Sequence, residues 1–415
     1  MNNIKKSIRK IPVLAGAAKL AYDWRLERKL RKRVKKFLAA GSLPYTSIAP
    51  PQYLVGYEPT IRCNLRCKMC YQGQTRAMRR EELETDEVME IFEKLKKKTG
   101  AIKLVGGEPM VRNDILELLN FWYKNNIRTI LQTNCTLISA NNIKTIKQLT
   151  NITDVLTSLD GPPELHDSIR GVPGAFNKLK QAIELLRENR PDIPITVFAT
   201  ILPWDNLDNL LQLIDIARGL GLGTLNLIFE QVYTEEEVGA AKKVFEGVLG
   251  WPSYASAKGG SVSGGKATEG KPEESYRLNT QVRGKLFPDG FSASTFKKKL
   301  REARFYGLKR GCFINFVPFN YYRHPENYIN GMQGRLARRS FGRGGPFCLK
   351  LLTPELRINQ TGDVVWCDVI EKSFGSLLEK TPDQIWLSKE YQDFRDYLYK
   401  NSLPICRRCC KVFYV

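Results

Sequence analysis

The stretch Pro59 to Gly73, PTIRCNLRCKMCYQG, sets Cys63, Cys67 and Cys70 at C-x3-C-x2-C spacing. Three thiolates are one ligand short of a closed tetrahedral zinc site, and the only two histidines, His166 and His324, lie far along the chain. The same three can hold three corners of a [4Fe-4S] cluster and leave one iron open to a small molecule. A zinc knuckle completed by a distant cysteine is the competing reading. Towards the other end, Cys348 and Cys367 flank a predicted hairpin, Cys367 follows Gly362 by five positions, and Cys406 and Cys409 form a C-x2-C pair. These four make a complete set for one metal centre, either a second cluster or a four-cysteine zinc. Cys312 and Cys410 are left over, with Cys410 able to stand in for Cys409.

A chain of 415 residues that is 42% apolar can bury a large core, so one large domain with a smaller one is expected. No run approaches the ~18 apolar residues of a membrane-spanning helix, and Lys19 interrupts the apolar stretch a signal peptide would need. The expected location is cytoplasmic, where ten cysteines point to metal or redox chemistry rather than to disulfides. The net charge of +22 is concentrated at the start, where residues 1 to 40 carry 13 Lys and Arg against Asp23 and Glu27. Leu26, Leu30, Val34, Phe37 and Leu38 recur there at helical spacing, and Gly41 and Pro44 end the helix. A basic amphipathic helix suits an anionic membrane surface, giving peripheral attachment to its inner face through residues 1–44, or a nucleic-acid backbone. It equally suits a solvated helix packed on the main domain.

The elements that must position the first cysteines begin with YLVGYEPTIR, which reads as a strand. A helix follows from Asp86, capped by Thr85, with Val88, Ile91, Phe92 and Leu95 on one face and Gly100 as its stop. Strand and helix patterns then alternate through AIKLV, RTILQTN, DVLTSLD, ITVFATIL and TLNLIFE. Six strands alternating with helices predict parallel βαβ units, in a doubly wound sheet or a barrel, and both place their chemistry at the carboxyl ends of the strands. The cysteine trio follows the first strand, where a catalytic loop belongs.

C-x3-C-x2-C after the first strand of a βα repeat resembles the signature of the radical SAM enzymes. The resemblance implies an α/β fold, a partial (β/α)6 TIM-type barrel, in which the open iron chelates S-adenosylmethionine. It further implies one-electron reductive cleavage to a 5'-deoxyadenosyl radical that abstracts hydrogen from an unactivated carbon. Gly106, Gly107, Glu108 and Pro109 match the family's GGEP turn, with Glu108 at the position that receives the methionyl ammonium. Ser158 and Asp160 in SLDG match the segment that meets the ribose, and Met69 matches the position beside the adenine. Cys135 stands where relatives often have glycine and is read as a small buried filler; His166 is read as structural.

Cys348, Cys367, Cys406 and Cys409 are similar to the SPASM/Twitch extension of that family, which implies an auxiliary [4Fe-4S] cluster in a small cysteine-rich C-terminal domain. The expected organisation is a basic helical arm (1–50), the barrel (51–250), a basic linker or insertion (251–345) and the auxiliary-cluster domain (346–415). The linker includes the Gly/Ser/Lys-rich stretch 253–275 and an Arg-rich loop with Arg335, Arg338, Arg339 and Arg343, a candidate for phosphate or carboxylate. The implied partners are a flavodoxin- or ferredoxin-type electron donor and a peptide or protein, or a membrane-associated lipid or lipid-linked molecule, as substrate. An RNA-modifying enzyme and a non-catalytic cluster scaffold are the alternatives; no recognisable RNA-binding fold accompanies the charge.

Overall fold

The computed structural model describes residues 12–72, 81–253, 275–331 and 346–414. The Arg-rich loop and nearly all of the Gly/Ser/Lys-rich stretch lie outside the described residues.

The chain opens with α1 (Pro12–Ala39) and then alternates β1 (Leu54–Tyr57), α2 (Thr85–Leu95), β2 (Ala101–Leu104), α3 (Ile115–Lys124), β3 (Arg128–Gln132), α4 (Ile143–Gln148) and β4 (Ile152–Ser158). Helices α5 (Pro163–Arg170) and α6 (Ala175–Asn189) precede β5 (Ile195–Ile201), and α7 (Leu210–Gly219) precedes β6 (Thr224–Phe229). Strands β1 to β6 pair in chain order and in parallel. Sequential order without a reversal is that of a partial barrel rather than a doubly wound sheet. The predicted inward face of α2 is buried: Val88, Ile91, Phe92 and Leu95. Its start differs by one residue, because the Thr85 hydroxyl turns to Asp114 (2.5 Å) while Glu84 and Glu87 form the capping box.

Beyond β6 come β7 (Val232–Tyr233), α8 (Glu235–Gly247), β8 (Tyr276–Leu278), β9 (Gln281–Val282), α9 (Ala293–Lys309) and β10 (Phe313–Val317). The span expected to be linker therefore departs from that reading. Within it, β10 lies parallel to β6 as a seventh strand, and the basic surface of α9 hides an apolar face of Phe296, Leu300 and Ala303.

After α10 (Phe319–Arg323) and α11 (Pro325–Asn330), the chain continues as β11 (Pro346–Cys348), β12 (Glu355–Ile358), β13 (Asp363–Val365), β14 (Ile370–Ser376), α12 (Pro382–Trp386), α13 (Lys389–Lys400) and β15 (Val412–Tyr414). The C-terminal part does not stand apart as a separate body. β12 pairs in parallel with the free edge of β1, and β13, β14 and β8 extend the same sheet antiparallel. The boundary expected at 346 falls inside one continuous sheet.

The apolar stripe of α1 is spent on the body of the protein. Phe37 stacks edge-to-face on Phe347 and Tyr399 (5.5 and 5.4 Å), Val34 is fully buried, and Arg323 bonds to Glu27 at 2.8 Å. Leu26 departs from the predicted stripe and is exposed, since the adjacent Glu27, about 100° round the helix, takes the inward position. From Glu27 onward the helix is packed as a surface element of the main body, with most of its basic residues facing solvent. Among the described residues no helix is long and apolar enough to cross a membrane.

Candidate active site

The carboxyl end of β1 aims the first cysteine loop, and packing fixes that end. Tyr57, Phe92 and Trp122 meet edge-to-face at 5.2–6.1 Å in the core, each pair adding roughly 0.5–1.5 kcal/mol beyond area burial.

Two backbone clamps hold the loop. Gly107 N donates to Thr60 O (2.9 Å) and Glu108 N to Arg62 O (2.8 Å), which laces the GGEP turn to the residues before Cys63. On the far side, Arg66 N donates to Arg170 O and Lys68 N to Ile169 O, both at 2.9 Å. The glycines are required for this approach: a Cβ on Gly107 would stand 2.0 Å from the Arg62 carbonyl oxygen, and Gly106 has φ +101 with Glu58 against it. Leu65 N points at Cys63 Sγ (3.4 Å) and Arg170 Nη1 at Cys67 Sγ (3.5 Å). Met69 is half-buried beside Cys70.

Glu108 lies buried at the centre of this loop cluster. Its carboxylate accepts from Thr133 Oγ1 (2.7 Å), Asn134 N (2.6 Å) and Met110 N (3.1 Å), three of about four lone-pair sites, so one is left for a ligand. Burial pushes its pKa up to about 7. Cys135, immediately after, has φ +64 and is fully buried, with its thiol pushed up to about 12 by burial. It fills the left-handed position that favours glycine and lies in the core rather than with the other thiols.

Asp160 is fully buried, its Oδ2 accepting from Arg170 Nε (2.6 Å) and its Oδ1 from Thr200 N (2.9 Å). It thereby orients Arg170 against Cys67. Ser158 is half-buried at the end of β4. His166 accepts from Asp160 N at Nδ1 (3.2 Å), and burial lowers its pKa to about 4, so it is a neutral structural ring.

The second set assembles from the start of the hairpin region and the terminal turn. Cys348 ends β11, whose partner β15 brings the turn Pro404–Arg408 and its cysteines alongside. Ile370 N points at Cys367 Sγ (3.4 Å) and Lys411 N at Cys409 Sγ (3.3 Å). Burial raises the pKa of Cys348 to about 11; burial and the neighbouring thiols Cys348 and Cys367 raise Cys406 further. Crowding of this kind is relieved when cationic iron binds, so the donor set suits a cluster with one thiolate per iron. Cys410 shares a hydrogen bond with Cys409 and takes another from Gln231 Nε2 (3.2 Å), while Cys312 is buried in the core. Among the described residues no three Cys, His, Asp or Glu side chains converge closely enough to hold a single metal ion.

Between the two sets lies a narrow polar cleft, open to solvent, whose enclosed part has room for about one water. Glu58, just past β1, lines it with Gln72 from the first cysteine loop, Arg357 on β12, and Cys367 with Asp368 from the second set. Gln72 donates to Glu58, Arg357 Nη2 lies 3.4 Å from Glu58 Oε2 and 2.8 Å from Asp368 Oδ1. Burial brings Glu58 to a pKa of about 7. Apart from Cys367, none of these cleft residues was singled out from the sequence. The signal for Glu58 was its place at the carboxyl end of a strand; Arg357 carried none, because its partner Glu58 lies 299 residues away.

Comparison with known proteins matches residues 57–217 to the radical SAM superfamily and residues 348–410 to an iron-sulfur cluster-binding domain, SPASM. An AdoMet-dependent heme synthase of Methanosarcina barkeri (strain Fusaro / DSM 804) is 30% identical over 178 residues, 42% of this chain and 50% of that protein. The chain thus matches about half the length of that relative. Among solved structures, Streptococcus suis SuiB bound to its precursor peptide SuiA aligns with a TM-score of 0.56 at 15% identity, over 92% of this chain and 75% of that one. The native anSMEcpe with bound AdoMet and a Cp18Cys peptide aligns at 0.54 and 16%, over 86% and 88%.

Proposed function

Since the chain belongs to the radical SAM superfamily and carries a SPASM auxiliary-cluster domain, we propose that it modifies a carbon–hydrogen bond of a substrate held in the cleft between its two cysteine sets. The carrying observation is that cleft, whose walls come from the first cysteine loop on one side and from Cys367 and Asp368 on the other. When bound, a [4Fe-4S] cluster with S-adenosylmethionine would supply hydrogen-abstracting radical chemistry, and an auxiliary cluster would supply a one-electron acceptor.

Cys63, Cys67 and Cys70 would hold the first cluster, and Cys348, Cys367, Cys406 and Cys409 the second. Glu108 would take the methionyl ammonium on its remaining lone pair, within the Gly106–Pro109 turn. Ser158 would meet the ribose and Met69 the adenine. Arg170, set by Asp160, donates to Cys67 and steadies its negative charge. Glu58 lines the cleft with a pKa of about 7 and is placed to take a proton from an oxidised substrate. The electron donor would be of the flavodoxin or ferredoxin type. Peptide-bound neighbours of the same fold favour a peptide substrate over a lipid.

The test is anaerobic reconstitution with iron and sulfide counting and a dithionite-driven assay for 5'-deoxyadenosine, on wild type and the Cys63/Cys67/Cys70→Ala triple variant. About eight irons with cleavage in wild type, and about four with none in the variant, are expected from two four-iron clusters. No cleavage in either overturns the reading.

A further inference from the structure

Tyr233, on β7, is 1% exposed, and its hydroxyl has no hydrogen-bond partner among the described residues. An orphaned buried hydroxyl is uncommon in native proteins and calls for a ligand or another explanation. Its surroundings are those of the second cysteine set. Strand β7 packs against the terminal turn Pro404–Arg408. Two residues before Tyr233, and so on the same side of an extended chain, Gln231 directs its Nε2 at Cys410 Sγ (3.2 Å) and Cys409 Sγ (3.6 Å). Arg283 N donates to the Tyr233 carbonyl oxygen (3.0 Å) and fixes its backbone. Burial first, and then the charges of Cys409, Cys406, Cys367 and Cys410, hold the Tyr233 hydroxyl well above the usual tyrosine pKa. The group therefore keeps a proton to donate, and it keeps it beside sulfur.

Backbone donors already meet this set, Ile370 N at Cys367 Sγ and Lys411 N at Cys409 Sγ. Gln231 and Tyr233 add side-chain donors from the β7 side. A cluster held by Cys348, Cys367, Cys406 and Cys409 would present thiolate and sulfide sulfur to them, and hydrogen bonds to these sulfurs are among the terms that set its potential. Resting on the reading of the four cysteines as a cluster site, we infer that Tyr233, with Gln231 beside it, donates a hydrogen bond to a sulfur of the auxiliary centre and raises its reduction potential. The sign follows from charge. Reduction adds one electron to the centre and no proton, so its sulfurs become more negative and the hydrogen bond is stronger in the reduced form. Tyr233 thus makes the centre a better electron acceptor and takes no part in hydrogen abstraction.

A potentiometric titration followed by electron paramagnetic resonance tests this on the full chain. The chain is reconstituted anaerobically in the Cys63/Cys67/Cys70→Ala background, so that only the auxiliary centre is read. Tyr233→Phe removes the hydroxyl alone and is expected to keep about four irons while its midpoint falls. One hydrogen bond to a charged acceptor is worth about tenfold in an equilibrium. The ratio of reduced to oxidised centre at a fixed potential is therefore expected to drop about tenfold, ~59 mV for one electron. Gln231→Leu is expected to shift the midpoint in the same direction. Should Tyr233→Phe lose its iron, 3-fluorotyrosine in place of tyrosine throughout the chain keeps the shape with a more acidic hydroxyl, and the midpoint is expected to rise. An unchanged or raised midpoint in Tyr233→Phe at full iron content, or an unchanged midpoint on fluorination, overturns the inference; a role confined to packing would move the melting temperature alone. Absence of iron from the triple variant would strike the cluster reading itself and the inference with it, so iron content tells the two failures apart.

Discussion

Substituting Gly107 by alanine asks whether the GGEP glycines exist for the sake of the cysteine loop. The added Cβ would stand 2.0 Å from the Arg62 carbonyl oxygen and 2.7 Å from the Ile61 carbonyl carbon. Both neighbours are backbone, so the turn and the loop must part. Parting threatens the bonds from Gly107 N to Thr60 O and from Glu108 N to Arg62 O. At ~1 kcal/mol net for each bond and ~1–3 kcal/mol for overpacking, the cost is about 3–5 kcal/mol. Gly100→Ala is the internal comparison, because its Cβ would meet nothing within 4 Å. That change is expected to stabilise by ~0.4–1 kcal/mol through the unfolded state. Iron per chain and thermal melting are measured after anaerobic reconstitution. Gly107→Ala is expected to lose about half of its iron, the share of one cluster in two, and dithionite-driven cleavage with it. Wild-type iron content and melting in Gly107→Ala would refute the idea that this pairing holds the cysteines.

The pKa of about 7 for Glu108 predicts that S-adenosylmethionine binds more tightly as pH rises from 6 to 8. The carboxylate that pairs with an ammonium is the form present above that pKa and lost below it; equilibrium dialysis should show the slope disappear in Glu108→Gln. Asp160→Ala strands the largely buried Arg170 beside Cys67 and should cost roughly 3–5 kcal/mol in urea unfolding; a loss under ~1 kcal/mol would deny the pair its positioning role. Cys409→Ala should lose the auxiliary iron and Cys410→Ala keep it, and the reverse pattern would exchange the two assignments. Cys348→Ala should still cleave S-adenosylmethionine but form no product, whereas wild-type turnover would remove the auxiliary centre from the reaction.

The parallel sheet was readable because each βα unit is local: an apolar run, a turn, and an amphipathic helix whose inward face obeys the 3.6-residue period. The first cysteine loop was readable because its spacing is compact and its place after β1 follows from the same repeat. Pairings across long separations were not. β10 joins β6 across the Gly/Ser/Lys-rich stretch, and β12 joins β1 from the far end of the chain, so neither neighbour is written in a local pattern. The pairing of Asp160 with Arg170 was hidden for a related reason: SLDG as a motif does not say that an arginine ten residues on will bond the carboxylate. Gln231 and Tyr233 lie far from the terminal cysteines in sequence, and only the folded chain brings β7 against their turn.

The late pairing of β12 with β1 also has a meaning during synthesis. β1 emerges roughly 300 residues before its outer neighbour at Glu355–Ile358. At a typical ~5–20 residues per second, that edge of the sheet stays open for roughly 15–60 s. Throughout this interval the N–H and C=O groups on that side of β1 have no strand to meet, directly beside the loop that carries Cys63, Cys67 and Cys70. An open edge invites association with other nascent chains, but it also leaves the thiols accessible to whatever delivers iron and sulfide. Arrival of the C-terminal hairpin ends both the hazard and the access.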